Sequence, residues 1–102
     1  MREFYKLAEG YSKRFPEGFA PYQMTTRVLE ECGEVASEVN LWEDSGIKRL
    51  KHGEPKKENL ANEIKQALAA LIKIAAYYKI ENELEESING SLEIMEKEGL
   101  LD

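Results

Sequence analysis

The sequence is poor in cysteine, with a single thiol, Cys32, in 102 residues. One thiol excludes an internal disulfide and fits a reducing compartment. The first six residues lack the apolar core of a secretory signal peptide. The most apolar stretch, residues 67–78, is interrupted by Lys73 and is too short to span a bilayer. We therefore expect a cytoplasmic protein.

Positive charge is also scarce: 14 Lys and Arg stand against 20 Asp and Glu, for a formal net charge of −6. Nonspecific binding of nucleic acid requires a field of the opposite sign, so DNA and RNA partners are not expected. A membrane partner is not expected either, because the most apolar stretch is too short to span a bilayer. An acidic protein that handles phosphates must recruit cations, either as metal ions or as a local basic patch.

The spacing of apolar residues shows no strand-like alternation and predicts one helical domain over residues 1–102. Four helices are expected, at about residues 2–14, 22–44, 58–79 and 83–98. The first should end before Phe15-Pro16, because the residue before proline is disfavoured in a helix, and Gly99 is the expected stop of the last. The predicted fold is all-α, an antiparallel four-helix bundle. Small helical chains often bury a remaining apolar face against a copy of themselves, so a homo-oligomer is expected.

The second helix shows the clearest amphipathic pattern, with Thr25 or Thr26 as the expected cap. Its predicted core stripe comprises Val28, Cys32, Val35, Val39 and Trp42. Cys32 on this stripe is interpreted as a small buried apolar residue rather than a nucleophile. In the fourth helix the residues expected to point inward are Leu84, Ile88, Leu92 and Met95.

Three carboxylates share one sector of the second helix: Glu31, Glu34 and Glu38, at about 100° per residue. Glu31 lies beside the apolar stripe, where a neighbouring helix would partly dehydrate it. Like charges held there need a cation or must take up protons. A hard, oxygen-preferring ion such as Mg²⁺ is the natural partner.

The third helix offers Glu63 at the edge of its apolar face and Gln66 three residues later. If the two helices pack antiparallel, both residues could converge with Glu31 and Glu34. The alternative stays open, because 18 of the 102 residues are glutamate and a charge cluster on a helix is commonly a solvated face.

The connection between these helices carries a basic patch. Lys48, Arg49 and Lys51 could bind a triphosphate, with Arg49 suited to bidentate contact; a solvated loop is the alternative. The only histidine, His52, lies in the same connection. Its solitude argues against a di-iron bundle, which requires Glu-x-x-His pairs on its helices.

The glutamate pattern resembles that of the MazG-like all-α nucleoside triphosphate pyrophosphohydrolases. It consists of Glu30-Glu31-x-x-Glu34 on one helix and Glu63-x-x-Gln66 on the next. The family has two glutamates, two residues and a glutamate, then a glutamate and an aspartate three apart. The segments Arg27-Val28-Leu29 and Gly33-Glu34-Val35-Ala36 add to the likeness, which covers about residues 20–90.

This resemblance implies a homodimer or homotetramer that uses Mg²⁺ (Mn²⁺ is an alternative) to hydrolyse a nucleoside triphosphate to monophosphate and pyrophosphate. By motif position, Glu31, Glu34 and Glu63 would be metal ligands, and Glu30 would orient or deprotonate the attacking water. Gln66 stands where the family has aspartate, so it offers a neutral carbonyl oxygen and should weaken Mg²⁺ binding. The last helix also lacks the Lys/Arg cluster that such enzymes often present to phosphates.

Two other functions remain open at this point. The first is a non-catalytic nucleotide-binding or regulatory module of the same fold, in which Gln66 disables the chemistry. The second is a helical interaction protein with solvated glutamates, for which Mg²⁺ would leave the melting temperature unchanged.

Overall fold

The computed structural model describes residues 2–16, 20–43 and 54–102. These ranges contain four α-helices and no strand: α1 (Arg2–Arg14), α2 (Pro21–Trp42), α3 (Lys57–Tyr77) and α4 (Glu81–Lys97). The all-α prediction is confirmed, and each predicted helix boundary is within two residues of the observed one. None of the helices in these ranges has both the length and the apolar character needed to cross a membrane.

The start of α2 is set by Pro21 rather than by a threonine. The proline ring presets the backbone at the first helical position, and Ala20 before it is extended. The N–H of Ala20 donates to the side-chain oxygen of Gln23 at 3.3 Å. Thr25 and Thr26 lie inside the helix, where their hydroxyls donate to carbonyls three or four residues earlier. The prediction that one of them caps α2 is therefore wrong.

Both α3 and α4 end in a left-handed turn. Lys79 has a φ of 57° and Gly99 a φ of 73°. In each case the next N–H donates to the carbonyl five residues earlier, at 3.0 Å after α3 and 2.9 Å after α4. This is the Schellman arrangement, which satisfies carbonyls that the helix leaves unpaired. The predicted stop at Gly99 is confirmed, whereas Lys79 adopts the same turn without being a glycine.

The central helix of the fold is α3, which packs against both α1 and α2. Glu34 of α2 hydrogen-bonds Glu63, and Arg27, earlier in α2, lies near Lys73, later in α3. Since the numbering rises along one helix as it falls along the other, α2 and α3 are antiparallel. The buried apolar core is small and comprises Ala8, Met24, Leu41, Ala69, Ile72 and Ala75.

The fourth helix does not close the bundle within one chain. None of the described residues of α4 is buried. Leu84 is half-buried, but Ile88, Leu92 and Met95 are exposed, so the prediction that all four point inward is wrong for the single chain. The start of α4 is held by the Tyr5 hydroxyl, which donates to the carbonyl of Glu81 at 3.0 Å.

Only two of the five residues in the predicted core stripe of α2 are partly buried. Val28 and Val35 are half-buried, whereas Val39 and Trp42 are exposed. Cys32 is a free, exposed thiol, so its predicted burial is wrong for the single chain. For Cys32 and Val39 the reason is rotational: α3 packs on the side of α2 that includes the acidic sector, and the far half of the apolar arc meets no other helix in the described part of the chain. Trp42 is the last residue of α2.

Seven exposed apolar residues of α2 and α3 form a stripe on each helix, and we call the two stripes together the apolar face. It comprises Leu29, Cys32, Ala36 and Val39 from α2, with Ile64, Leu68 and Leu71 from α3. A helix turns by about 100° per residue. Around the axis of α2, the α2 positions lie roughly 80–160° from Glu31, and around the axis of α3, the α3 positions lie within the same angular range, in the same sense, from Glu63. Because the helices are antiparallel, both stripes fall on the same side of the pair, opposite the side that carries Glu34 and Gln66.

Candidate metal centre

Three glutamates from two helices meet at one point. Glu31 and Glu34, three residues apart on α2, and Glu63 on α3 each offer a carboxylate oxygen, and these oxygens lie within 4.8 Å of one another. We call these residues the carboxylate cluster. Glu31 is the only charged or polar residue among the buried residues of the described chain, at 7% exposure. The structure thus brings together the three residues that the sequence pattern suggested as ligands.

The carboxylate cluster is electrostatically strained without a cation. The pKa of Glu63 is raised, first by its hydrogen bond with Glu34, then by partial burial, and further by repulsion from Glu34, Glu31 and Glu38. Two carboxyl groups this close are held together by a proton between them or by a bound cation. The buried Oε2 atoms of Glu63 and Glu38 have no hydrogen-bond partner among the described residues. Buried carboxylate oxygens in this state favour a bound cation.

Glu31 has a cationic neighbour on its own helix. The Nε of Arg27 lies 3.3 Å from Oε1 of Glu31, and the exposed guanidinium covers a carboxylate that is only 9% exposed. The Nη1 of the same arginine is 3.9 Å from Oε2 of Glu30. Glu30 is exposed and lies outside the carboxylate cluster, where its carboxylate remains accessible to water.

An open cavity lies against the carboxylate cluster, between α1, α2 and α3. Its volume is about 910 Å³, within the range of small-molecule sites. Among its lining residues are the five side chains that the sequence pattern placed in the site: Glu30, Glu31, Glu34, Glu63 and Gln66. Gln66 therefore faces the same space as the carboxylate cluster. Lys48, Arg49 and Lys51, the predicted phosphate-binding patch, lie outside the described residues, as does His52.

Sequence reasoning missed three cations in this cavity: Arg14 from α1, Arg27 from α2 and Lys73 from α3. The pKa of Lys73 is lowered, mainly by partial burial and secondarily by Arg27. A signal for Lys73 was present, because this residue interrupts an apolar run. Helical spacing also places two of these cations on the same helix faces as the predicted ligands. Arg27 precedes Glu31 by four residues, and Lys73 follows Gln66 by seven, which is about one and two helical turns.

The donor set fits a hard divalent cation. Carboxylate oxygens, with a possible amide oxygen from Gln66, are the ligands that Mg²⁺ prefers, and Mn²⁺ accepts the same set. A cation would relieve the repulsion between Glu63 and Glu34 and engage the unpartnered oxygen of Glu63.

The raised pKa of Glu63 predicts the pH dependence of the metal-free protein. An acid whose pKa is higher in the folded state binds its proton more tightly there than in the unfolded chain. In EDTA, the free energy of unfolding should therefore rise as pH falls from neutral through this raised pKa, and level off near the ordinary glutamate range. Glu63→Gln removes the titrating group and should flatten this component. Thermal melts of both proteins across this pH range measure the difference; equal profiles would contradict the prediction.

Comparison with known proteins provides no relative from which a role could be transferred. No family model, no curated protein and no solved structure matches the chain. The geometry of the carboxylate cluster and its cavity is therefore the basis for any functional conclusion.

Proposed function

We propose that the protein is a Mg²⁺-dependent nucleoside triphosphate pyrophosphohydrolase, which converts a triphosphate to monophosphate and pyrophosphate. The observation that carries this proposal is the carboxylate cluster, which lines a cavity of about 910 Å³ that also contains basic side chains. The resemblance of Glu30-Glu31-x-x-Glu34 and Glu63-x-x-Gln66 to the MazG-like pattern supports the same reaction.

In this proposal, Glu31, Glu34 and Glu63 hold the ion, and Gln66 contributes its amide oxygen. The ion, when bound, neutralises phosphate charge and makes water a better nucleophile. Glu30 takes the proton of the attacking water. Its exposed carboxylate borders the cavity beside the cluster, so it can reach a water molecule without giving up a ligand role.

A second candidate is a nucleotide-binding module without catalysis, and Gln66 is the observation that favours it. A neutral amide at this position leaves three carboxylates in the cluster, and affinity for hard cations depends on ligand charge. Glu31 is moreover paired with Arg27, which reduces the charge offered to an ion.

A second copy of the chain is the proposed occupant of the apolar face. The accessible surface is 7923 Å², against roughly 5,900 Å² expected for a compact monomer of this mass. The Cα radius of gyration is 16.7 Å, against about 13 Å for a compact domain of this length. This excess near 2,000 Å² belongs to the whole chain, including the exposed α4, and it is of the order that stable homodimers bury. The proposed enzyme is therefore a homodimer or homotetramer, and a cytoplasmic location belongs to the same proposal.

The test is pyrophosphate release from a panel of ribonucleoside and deoxyribonucleoside triphosphates, with Mg²⁺ or Mn²⁺ and with EDTA as the control. We expect metal-dependent release from at least one nucleotide. Absence of turnover across the panel would remove the hydrolase proposal. Nucleotide binding by calorimetry without turnover would support the non-catalytic module instead.

The variant Gln66→Asp separates these candidates further, because it restores the carboxylate of the family pattern. A rise in rate of about tenfold or more is expected if the metal limits an active enzyme. A parent protein and a variant that both bind nucleotide and release no pyrophosphate would identify a binding module.

A further inference from the structure

The second half of α4 is exposed along its whole length in the described part of the chain. Glu81, Leu84 and Glu85 near its start are half-buried, whereas every residue from 91 to 102 is exposed. Of the other helices in the described ranges, only α3 packs against α4, and the hydrogen bond from Tyr5 holds the first turn. An isolated helix of about a dozen residues is marginal in water. The outer turns of α4 therefore require a second surface to pack against.

The fourth helix has an apolar side that is suited to such packing. Four residues spaced by four, four and three positions form it, and we call them the α4 stripe: Leu84, Ile88, Leu92 and Met95. They lie within about 80° of one another around the helix axis and extend over about 16 Å along it. Ile88, Leu92 and Met95 are exposed. The α4 stripe is thus the apolar side of an amphipathic helix that lacks a partner in the single chain.

The apolar face of α2 and α3 has matching dimensions and also lacks a cover. It extends from Leu29 to Val39 on α2 and from Ile64 to Leu71 on α3, which is about 15 Å and 10 Å of helix. Two packed helices leave a groove between them, and stripes on the same side of the pair line that groove, which an amphipathic helix can occupy. The α4 of the same chain does not occupy it, since both apolar surfaces remain exposed.

The charge distribution determines which surfaces can meet. Residues 81–102 contain eight acidic residues and one lysine, for a net charge of −7, so residues 1–80 have a net charge of +1. Two α4 helices packed side by side would repel each other, whereas α4 packed on the rest of a second chain meets no net repulsion. One end of the apolar face also carries a positive charge, because the exposed Lys57 precedes Ile64 by two turns on the same side of α3.

We propose that two chains exchange α4, so that the α4 stripe of each packs between the α2 and α3 stripes of the other. The inference specifies the homo-oligomer of the proposed function and rests on that proposal for its second copy. Each chain obtains the fourth helix of its bundle from the other, and the two-fold symmetry makes the exchange reciprocal. The apolar face and the α4 stripe are then covered by one interface, which accounts for the surface excess of the chain near 2,000 Å².

The single native thiol reports which surfaces meet, because Cys32 lies in the apolar face and is exposed. Ile88→Cys, Leu92→Cys and Met95→Cys place a second thiol at steps of about 6 Å along the α4 stripe. A disulfide requires Cα atoms within about 7 Å, so at least one variant should form a bond with Cys32 of the partner subunit on mild oxidation with copper phenanthroline. We expect about half or more of its chains as a covalent dimer on a non-reducing gel. Mass spectrometry of mixed ¹⁵N-labelled and unlabelled chains identifies the linked peptides as belonging to different chains.

Three controls distinguish the exchange from other contacts between copies. Glu86→Cys, about 160° from the centre of the α4 stripe, should give no covalent dimer. The stripe variants combined with Cys32→Ser should give none either, since a dimer there would show α4 packed on α4. The parent should form no disulfide between two Cys32 residues, because the exchanged helices separate the two apolar faces. A link between two Cys32 residues, a link within one chain, a dimer without Cys32, or stripe variants that behave like Glu86→Cys would overturn the inference.

A charge in the α4 stripe provides a second test that does not depend on disulfide geometry. Leu92→Glu lies in the exposed half of α4 and should give the mass of one chain by light scattering, while circular dichroism shows the helicity of the parent. Glu86→Gln on the same helix should keep the parental mass. Retention of the parental mass by Leu92→Glu would contradict the exchange.

The exchange and the proposed function fail separately. Links between the α4 stripe and Cys32 of the partner subunit, with no release of pyrophosphate from any nucleotide, would retain the exchange and remove the hydrolase. Turnover by an oligomeric parent without these links would retain the hydrolase and the homo-oligomer and remove the exchange.

Discussion

Glu34→Gln is expected to reduce metal-dependent pyrophosphate release by about 100-fold or more. A catalytic metal contributes several kcal/mol to transition-state stabilisation, and about 1.4 kcal/mol corresponds to a factor of ten in rate. Glutamine keeps the size and shape of glutamate but removes the charge that holds the ion and replaces one acceptor oxygen with a donor NH₂ group. Glu34 is exposed, so the substitution should leave the helix packing intact.

Two readouts distinguish a loss of metal binding from a loss of folding. In the parent, saturating Mg²⁺ should raise the melting temperature, because a ligand that binds only the folded state stabilises it. Glu34→Gln should lose most of this rise while it retains the circular dichroism spectrum of the parent. The control is Glu86→Gln, an exposed position on α4 outside the cavity, which should keep both the rate and the rise. Turnover of Glu34→Gln at the parental rate would exclude the proposed ligand role.

Local signals made the helices predictable from sequence. Phe15-Pro16 ends α1, and Gly99 ends α4, through backbone constraints that act within a few residues. The carboxylate cluster could also be predicted from the sequence. Helical spacing places Glu31 beside an apolar stripe, and an antiparallel pairing of α2 and α3 brings Glu63 next to it. The sequence did not specify how α3 is rotated about its axis relative to α2. The contact between Glu34 and Glu63 defines this rotation.

Periodicity could not show which part of the apolar arc one chain buries. On α2 this arc extends from Trp42 and Val35 to Leu29, wider than the surface that one neighbouring helix covers. The spacing predicts an apolar surface but does not specify whether this chain or another covers it. The three basic residues that line the cavity were missed for a different reason. Arg14, Arg27 and Lys73 are distant in sequence, so only the packing of three helices shows that they face one cavity.

Leu68→Glu is expected to convert the protein from an oligomer to a monomer. Leu68 lies within the apolar face and is 38% exposed in the single chain, so the substitution places a charge in the proposed interface while it disturbs the chain's own core little. Burying an unpaired carboxylate costs several kcal/mol, and a symmetric interface incurs this cost twice. Leu29→Glu on α2, at 74% exposure, should have the same effect from the other stripe.

Size-exclusion chromatography with light scattering measures the result directly. The parent should have at least twice the chain mass of 11.7 kDa, and both variants should have the mass of one chain. Lys65→Glu introduces the same side chain one turn from Leu68, outside the apolar face, and should remain oligomeric. A monomeric parent at micromolar concentration, or variants with the parental mass, would exclude a second copy as the occupant.

Since only six apolar residues are buried in the described part of one chain, the monomeric variants should also melt at lower temperature than Lys65→Glu, which links oligomerisation to the stability of the fold.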